Sequence, residues 1–197
     1  MERVWLVPAL WALALILVAC GGGGTGPRPT TAPSSAGERS ESQRVLSDEE
    51  FLAAMIEHHQ GAIDMARIAL ERAEREEVRR LAEEIITVQQ AEIEQMRTWQ
   101  REWFGVTASS PAHGGHGLSA EEMGMDVDLE ELRRADPFER AFLEAMIRHH
   151  EGAIWMAEQV RSSTKRPELL ELADQIIATQ RAEIEQMHTW LAEWYRQ

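Results

Sequence analysis

The chain has 197 residues, a formal net charge of −14 and 27% charged residues. That balance argues against a nucleic-acid interface, which needs Lys and Arg to neutralise phosphates, and against electrostatic attachment to anionic lipid. A single cysteine leaves no internal disulfide and no thiolate cluster for zinc or iron–sulfur, so His and Met are the borderline and soft metal ligands present in number.

Residues 1–19 read as a lipoprotein signal peptide. A short polar start, Met1-Glu2-Arg3, precedes an apolar run from Val4 to Val18. The run is shorter than the roughly 20 apolar residues of a full membrane span. It ends in Leu17-Val18-Ala19-Cys20-Gly21, which resembles the bacterial lipobox, with Cys20 as the lipidated residue. Multiple acyl chains on Cys20 would anchor the protein stably. The expected location is the cell envelope, on the outer face of the cytoplasmic membrane or in the periplasm or outer membrane. Residues 20–45 hold Cys20 and a Gly/Pro/Ser/Thr stretch with almost nothing apolar. Such a composition cannot offset its ordering entropy and reads as a flexible tether.

Residues 46–197 are one unit written twice. FLAAMIEHHQGAIDMA begins at Phe51 and FLEAMIRHHEGAIWMA at Phe142; IITVQQAEIEQMRTWQREW begins at Ile85 and IIATQRAEIEQMHTWLAEW at Ile176. Both pairs step by 91 positions, an in-register duplication with half-repeats 46–104 and 137–197. Each half reads as two helices. Ser47 to Glu50 is a capping-box start, apolar residues recur at helical spacing through about Leu70, and the charged stretch Glu71 to Glu77 holds a bend. A second helix is expected from about Val78 to Trp103. In the other half, Asp136 is the expected N-cap with Pro137 at the first helical position, and Pro167 opens the last helix after a bend over Ser162 to Arg166. Without strand-like alternation, the fold class is all-α: a four-helix bundle built from two duplicated helical hairpins.

On the first helix, one seam carries Phe51, Met55, His58, Ala62, Met65 and Ala69, and its neighbour carries Leu52, Ile56, His59, Ile63, Ala66 and Leu70. Successive residues diverge by about 100°, so His58 joins the methionines and His59 the aliphatics. The second half repeats this with Met146, His149 and Met156 against Ile147, His150 and Ile154. The second helix aligns Ile85, Gln89, Glu92, Met96, Trp99 and Trp103, and the last aligns Ile176, Gln180, Glu183, Met187, Trp190 and Trp194. Gln and Glu on a core seam need partners, and the facing histidines are the candidates.

A lone Met or His on such a seam is usually core filler. Met-x-x-His-His written twice, with a further Met at a matching place, points instead to metal ligation. The candidate ligands are Met55, His58, His59, Met65 and Met96 from one half, with Met146, His149, His150, Met156 and Met187 from the other. Gln89, Glu92, Gln180 and Glu183 are candidates for holding ligand histidines in place. His59 and His150 are either further ligands or partners of Glu92 and Glu183, and one shared site fits the pattern as well as two. Since neutral imidazole is needed, binding is expected to weaken as pH falls through about 6. Gly61 and Gly152 lie inside helices, where Gly is disfavoured by about 1 kcal/mol against Ala; close helix approach is the expected reason.

The linker, 105–136, offers His113, His116, Met123 and Met125 on a Gly-rich backbone, a candidate second, weaker metal site. Imidazole and thioether donors suit copper, and thioether favours Cu(I); another divalent metal also fits the histidines.

The two His-His-x-Gly-Ala-x-x-Met-Ala blocks, each followed by an A-E-I-E-Q-M-x-T-W helix, resemble the bacterial family called domain of unknown function 305. The resemblance covers roughly Leu46 to the C-terminus. It implies a ferritin-like four-helix fold in secreted or envelope proteins, some associated with copper. Matched by position, it implies roles for His58, His59, Met65, His149, His150 and Met156, with Met55 and Met146 preceding the motif.

The leading expectation is a lipid-anchored protein that binds or sequesters copper and is not an enzyme. One alternative is a metal-free structural or partner-binding bundle. Another is a ferritin-like di-iron oxidase, which wants Glu on two helices and Glu-x-x-His on two others; only Glu185-x-x-His188 has that form.

Overall fold

The computed structural model describes residues 46–105, 119–121 and 123–195. Cys20, the tether, His113 and His116 lie outside the described residues. Those described form five helices and no strand: α1 (Asp48–Arg72), α2 (Glu76–Phe104), α3 (Leu129–Arg134), α4 (Phe138–Ser163) and α5 (Pro167–Trp194).

The helix ends follow from local chemistry. Ser47 Oγ accepts from the Glu50 amide at 3.3 Å, and the Glu50 carboxylate accepts from the Ser47 amide at 3.0 Å, the reciprocal capping box. α2 begins two residues before the expected Val78, taking Glu76 and Glu77 into its first turn, where carboxylates meet the positive end of the helix dipole. It ends at Gly105, whose φ of 67° is the left-handed C-cap. α5 opens on Pro167 as expected. α4 departs by one residue: Pro137, with an extended ψ of 131°, takes the N-cap place assigned to Asp136, and Phe138 opens the helix. α3 was not expected. Asp128 caps it by accepting from the amides of Glu130 and Glu131, and Leu132 anchors it in the core.

α1 packs on α2 and α4 on α5, and the two hairpins meet along α1 and α4. Two apolar clusters fill the interior, one around Phe51, Leu52, Trp99 and Val160, the other around Phe142, Leu143, Val78 and Leu81. Each hairpin bend grips the other half. Arg75 lies 4.2 Å over the ring of Trp194, which stacks on Trp190; Arg166 lies 4.2 Å over Trp103, which stacks on Trp99. Glu139 accepts from the amides of Glu74 and Arg75, while its repeat counterpart Asp48 pairs with Arg166 at 3.2 Å.

The end of the linker departs from the repeat symmetry. Residues 123–124 run directly over α4 as a strap. Gly124 has φ 64°, and a Cβ there would lie 2.4 Å from the Arg148 carbonyl oxygen. A Cβ on Gly152 would lie 2.1 Å from the Met123 carbonyl oxygen. Gly152 is therefore there for the strap backbone, not for close helix approach. Gly61 differs: a Cβ there meets only the His149 ring, with Nε2 at 3.2 Å. Gly152→Ala is expected to lose about 1–3 kcal/mol in urea unfolding, as overpacking against backbone does, and to expose the strap to limited proteolysis. Gly61→Ala should lose less. Equal losses, with the strap still protected, would contradict this packing.

Candidate metal centre

The four motif histidines form a buried layer across α1 and α4. His58 and His149 face one another with ring centroids 3.7 Å apart and planes 43° apart, and neither is more than 1% exposed. His59 and His150 diverge from this pair, as their seams predict. His59 Nε2–H donates to Glu92 Oε2 at 2.7 Å, and His150 Nε2–H to Glu183 Oε2 at 2.7 Å. Of the two roles open for these histidines, the structure shows the carboxylate partnership.

His58 Nε2–H donates to the Met123 carbonyl at 2.8 Å. A carbonyl or carboxylate acceptor at Nε2 fixes the proton there and leaves Nδ1 with its lone pair. Nδ1 of all four histidines, and Nε2 of His149, are buried without a hydrogen-bond partner. Buried polar atoms in native proteins almost always have one, so five in one layer mark a place built for something else.

Burial pushes the His58 pKa down to about 3, with the neighbouring His59 imidazole adding to the effect. Burial, then the facing His58, also holds His149 well below its ordinary value. Two rings this close and this dry cannot both carry charge. The facing pair therefore stays neutral far below pH 6, and the expected loss of the neutral form near that pH does not apply to it.

All six motif methionines are buried, none more than 1% exposed. They group across the halves rather than within them. Met55 and Met96 share an apolar cluster with Met156, while Met146 and Met187 share the other with Met65. Each cluster thus holds two thioethers from one half and one from the other.

Among the described residues, no three His, Cys, Asp or Glu converge as a metal-binding group. Gln89 and Gln180 do not hold the histidines through their carbonyl oxygens, which are buried without a partner. Of the linker candidates, Met123 packs against the first cluster and Met125 is half-buried. Glu185 and His188 are exposed on α5, so the one Glu-x-x-His sequence lies outside the interior. The Met123 carbonyl is the functional group that sequence reasoning missed. Its one trace was Gly152, a glycine inside a helix.

The model for the domain of unknown function DUF305 matches residues 48–191. The chain belongs to this family. Among solved structures, CopM in the Cu(I)-bound form is 40% identical, over 76% of this chain and 99% of its own, with a TM-score of 0.66. CopM in the Cu(II)-bound form is 43% identical, over 77% and 100%, with a TM-score of 0.68; CopM is also solved with silver bound. A DUF305 fragment from Deinococcus radiodurans is 34% identical, over 76% and 98%, with a TM-score of 0.63. No curated protein sequence matches the chain. The all-helical fold expected from the repeats is the fold of this family.

The buried pair sets a pH dependence of stability. Unfolded, His58 and His149 protonate near the ordinary value of 6.5; folded, they resist it, His58 to about 3. Between these values the unfolded chain binds more protons, so stability rises with pH. The contribution is fully present above about 6.5 and is lost as pH falls from there toward 3. In metal-free protein, urea midpoints should drop over this range, and His58→Gln/His149→Gln should flatten the drop. Parallel slopes in parent and variant would rule out the pair as its source.

Proposed function

We propose that this protein is an envelope-anchored copper-binding protein that sequesters the ion, preferentially as Cu(I), inside the helical bundle. The observation that carries the reading is the facing His58–His149 pair, whose buried nitrogens have no partner. Clusters that each hold three methionines flank it. Imidazole nitrogen and thioether sulfur together favour a soft monovalent ion over a hard one. CopM, solved with Cu(I), Cu(II) and silver, supports the same class of cargo. His58 Nδ1 and His149 are the nitrogen donors of this proposal. Met55, Met96 and Met156 on one side, and Met65, Met146 and Met187 on the other, are the sulfur donors. His59 and His150 are held by Glu92 and Glu183 and present Nδ1 inward. The chain carries the ion without turnover. Cys20 supplies the lipid anchor, and the tether spaces the bundle from the membrane.

The first test is a Cu(I) competition titration of the full-length protein in detergent against a coloured chelator. The parent should compete, and His58→Ala/His149→Ala should lose at least tenfold in affinity. No competition by the parent, with the variant merely less stable, would leave a metal-free bundle as the better reading. The anchor has its own test. Cys20→Ser should move the protein from the membrane fraction to the soluble fraction; an unchanged distribution would remove the lipid from the proposal.

A further inference from the structure

The bundle is not closed equally on all sides. α1 packs on α2 and α4, and α4 on α5, but α2 and α5 stand farther apart. Between them lies a partly open cleft with enclosed room for about one water molecule or a single ion. Its walls bring together Ile85, Val88, Gln89 and Glu92 from α2 with Ile176, Thr179, Gln180 and Glu183 from α5. These are repeat-related positions, and the two walls match except that Thr179 takes the place of Val88.

Five of those eight side chains bear oxygen, and no Lys or Arg lines the cleft. Gln89 and Gln180 are each only 3% exposed, and their carbonyl oxygens are buried without a hydrogen-bond partner. Glu92 and Glu183 each give one carboxylate oxygen to an imidazole, which leaves the other oxygen for a further partner. An acidic surface alone would not single out this place on a chain of net charge −14. The two orphaned amide oxygens do. Two carboxylates and two amide carbonyls are hard donors, chemically opposite to the thioethers of the interior.

We propose that the α2–α5 cleft is a second ion site, which takes a hard divalent cation through Gln89, Glu92, Gln180 and Glu183. The cation supplies the partner that both amide oxygens lack, and the two carboxylates balance its charge. The imidazole bonds from His59 and His150 hold those carboxylates in the cleft walls. This site does not depend on the copper reading.

Mn²⁺ is the probe, because it suits carboxylate and carbonyl donors and its free form is counted directly by electron paramagnetic resonance. Titrated into full-length, copper-free protein, the site should take up one Mn²⁺ per chain. Gln89→Leu/Gln180→Leu, which leaves both His–Glu bonds in place, should weaken that uptake at least tenfold. Gln89→Asn/Gln180→Asn withdraws the same oxygens while staying polar and should do likewise, which covers a failure of the Leu variant to fold. His58→Ala/His149→Ala should leave Mn²⁺ uptake unchanged, which separates this site from the proposed copper site. Identical titrations in the parent and a folded Gln variant would overturn the proposal and assign the ion to the general acidic surface. Loss of Mn²⁺ uptake in the His variant but not in the Gln variants would also overturn it.

Discussion

The structure depends on one constraint: four imidazoles buried at the middle of a small bundle, with more nitrogens than partners. A buried polar atom left unsatisfied is unfavourable by about 1–3 kcal/mol, comparable to a large share of a domain's net stability. Aliphatic side chains at 58, 59, 149 and 150 would have removed that penalty. The rest of the bundle offsets it instead. Two apolar clusters with Phe51, Phe142, Leu52 and Leu143 fully buried lie around the histidine layer. The Trp–Arg contacts and the Glu139 bonds tie each bend to the opposite half. A histidine layer of this kind is held in place by the fold and does not itself hold the fold together.

The duplication gives the two halves the same Met and His motif residues, but a single linker cannot treat them equally. Met123 reaches His58 across Gly152. His149, the repeat counterpart of His58, has no hydrogen bond from the linker and points Nε2 at the gap left by Gly61. One ring of the facing pair is therefore fixed in its tautomer, and the other has both nitrogens unpartnered. Two glycines at equivalent positions thus perform different tasks, one admitting a backbone and the other leaving room for a ring. The asymmetry is a consequence of connectivity and needs no divergence of the motif itself.

Much of this was legible in the sequence because it depends on one helix at a time. Periodicity places Met55 and His58 on one face and His59 on the next whatever the helix packs against, and the Ser47 and Pro167 signals act within a turn of their own positions. The matched 91-residue step made the hairpin duplication plain. What remained hidden depends on two elements at once. The sharing of a cluster by Met156 with Met55, and by Met65 with Met146, follows from how α1 crosses α4. Six residues of α3 are too few for a periodic signal. The pairing of Arg75 with Trp194 joins residues more than a hundred positions apart. Gln89 and Gln180 were read as supports for the histidines because they share a seam with Glu92 and Glu183; a shared seam fixes direction but not reach.

The His59–Glu92 and His150–Glu183 bonds then acquire a place in the whole. Each has its imidazole in the buried layer and its carboxylate in the wall of the α2–α5 cleft. On one side of these bonds the available donors are nitrogen and sulfur, and on the other they are oxygen. A carboxylate drawn outward by a cation would change the basicity of the imidazole it holds, since the acceptor at Nε2 governs the lone pair at Nδ1. The oxygen donors of the cleft wall and the nitrogen and sulfur donors of the interior are thus joined by two hydrogen bonds.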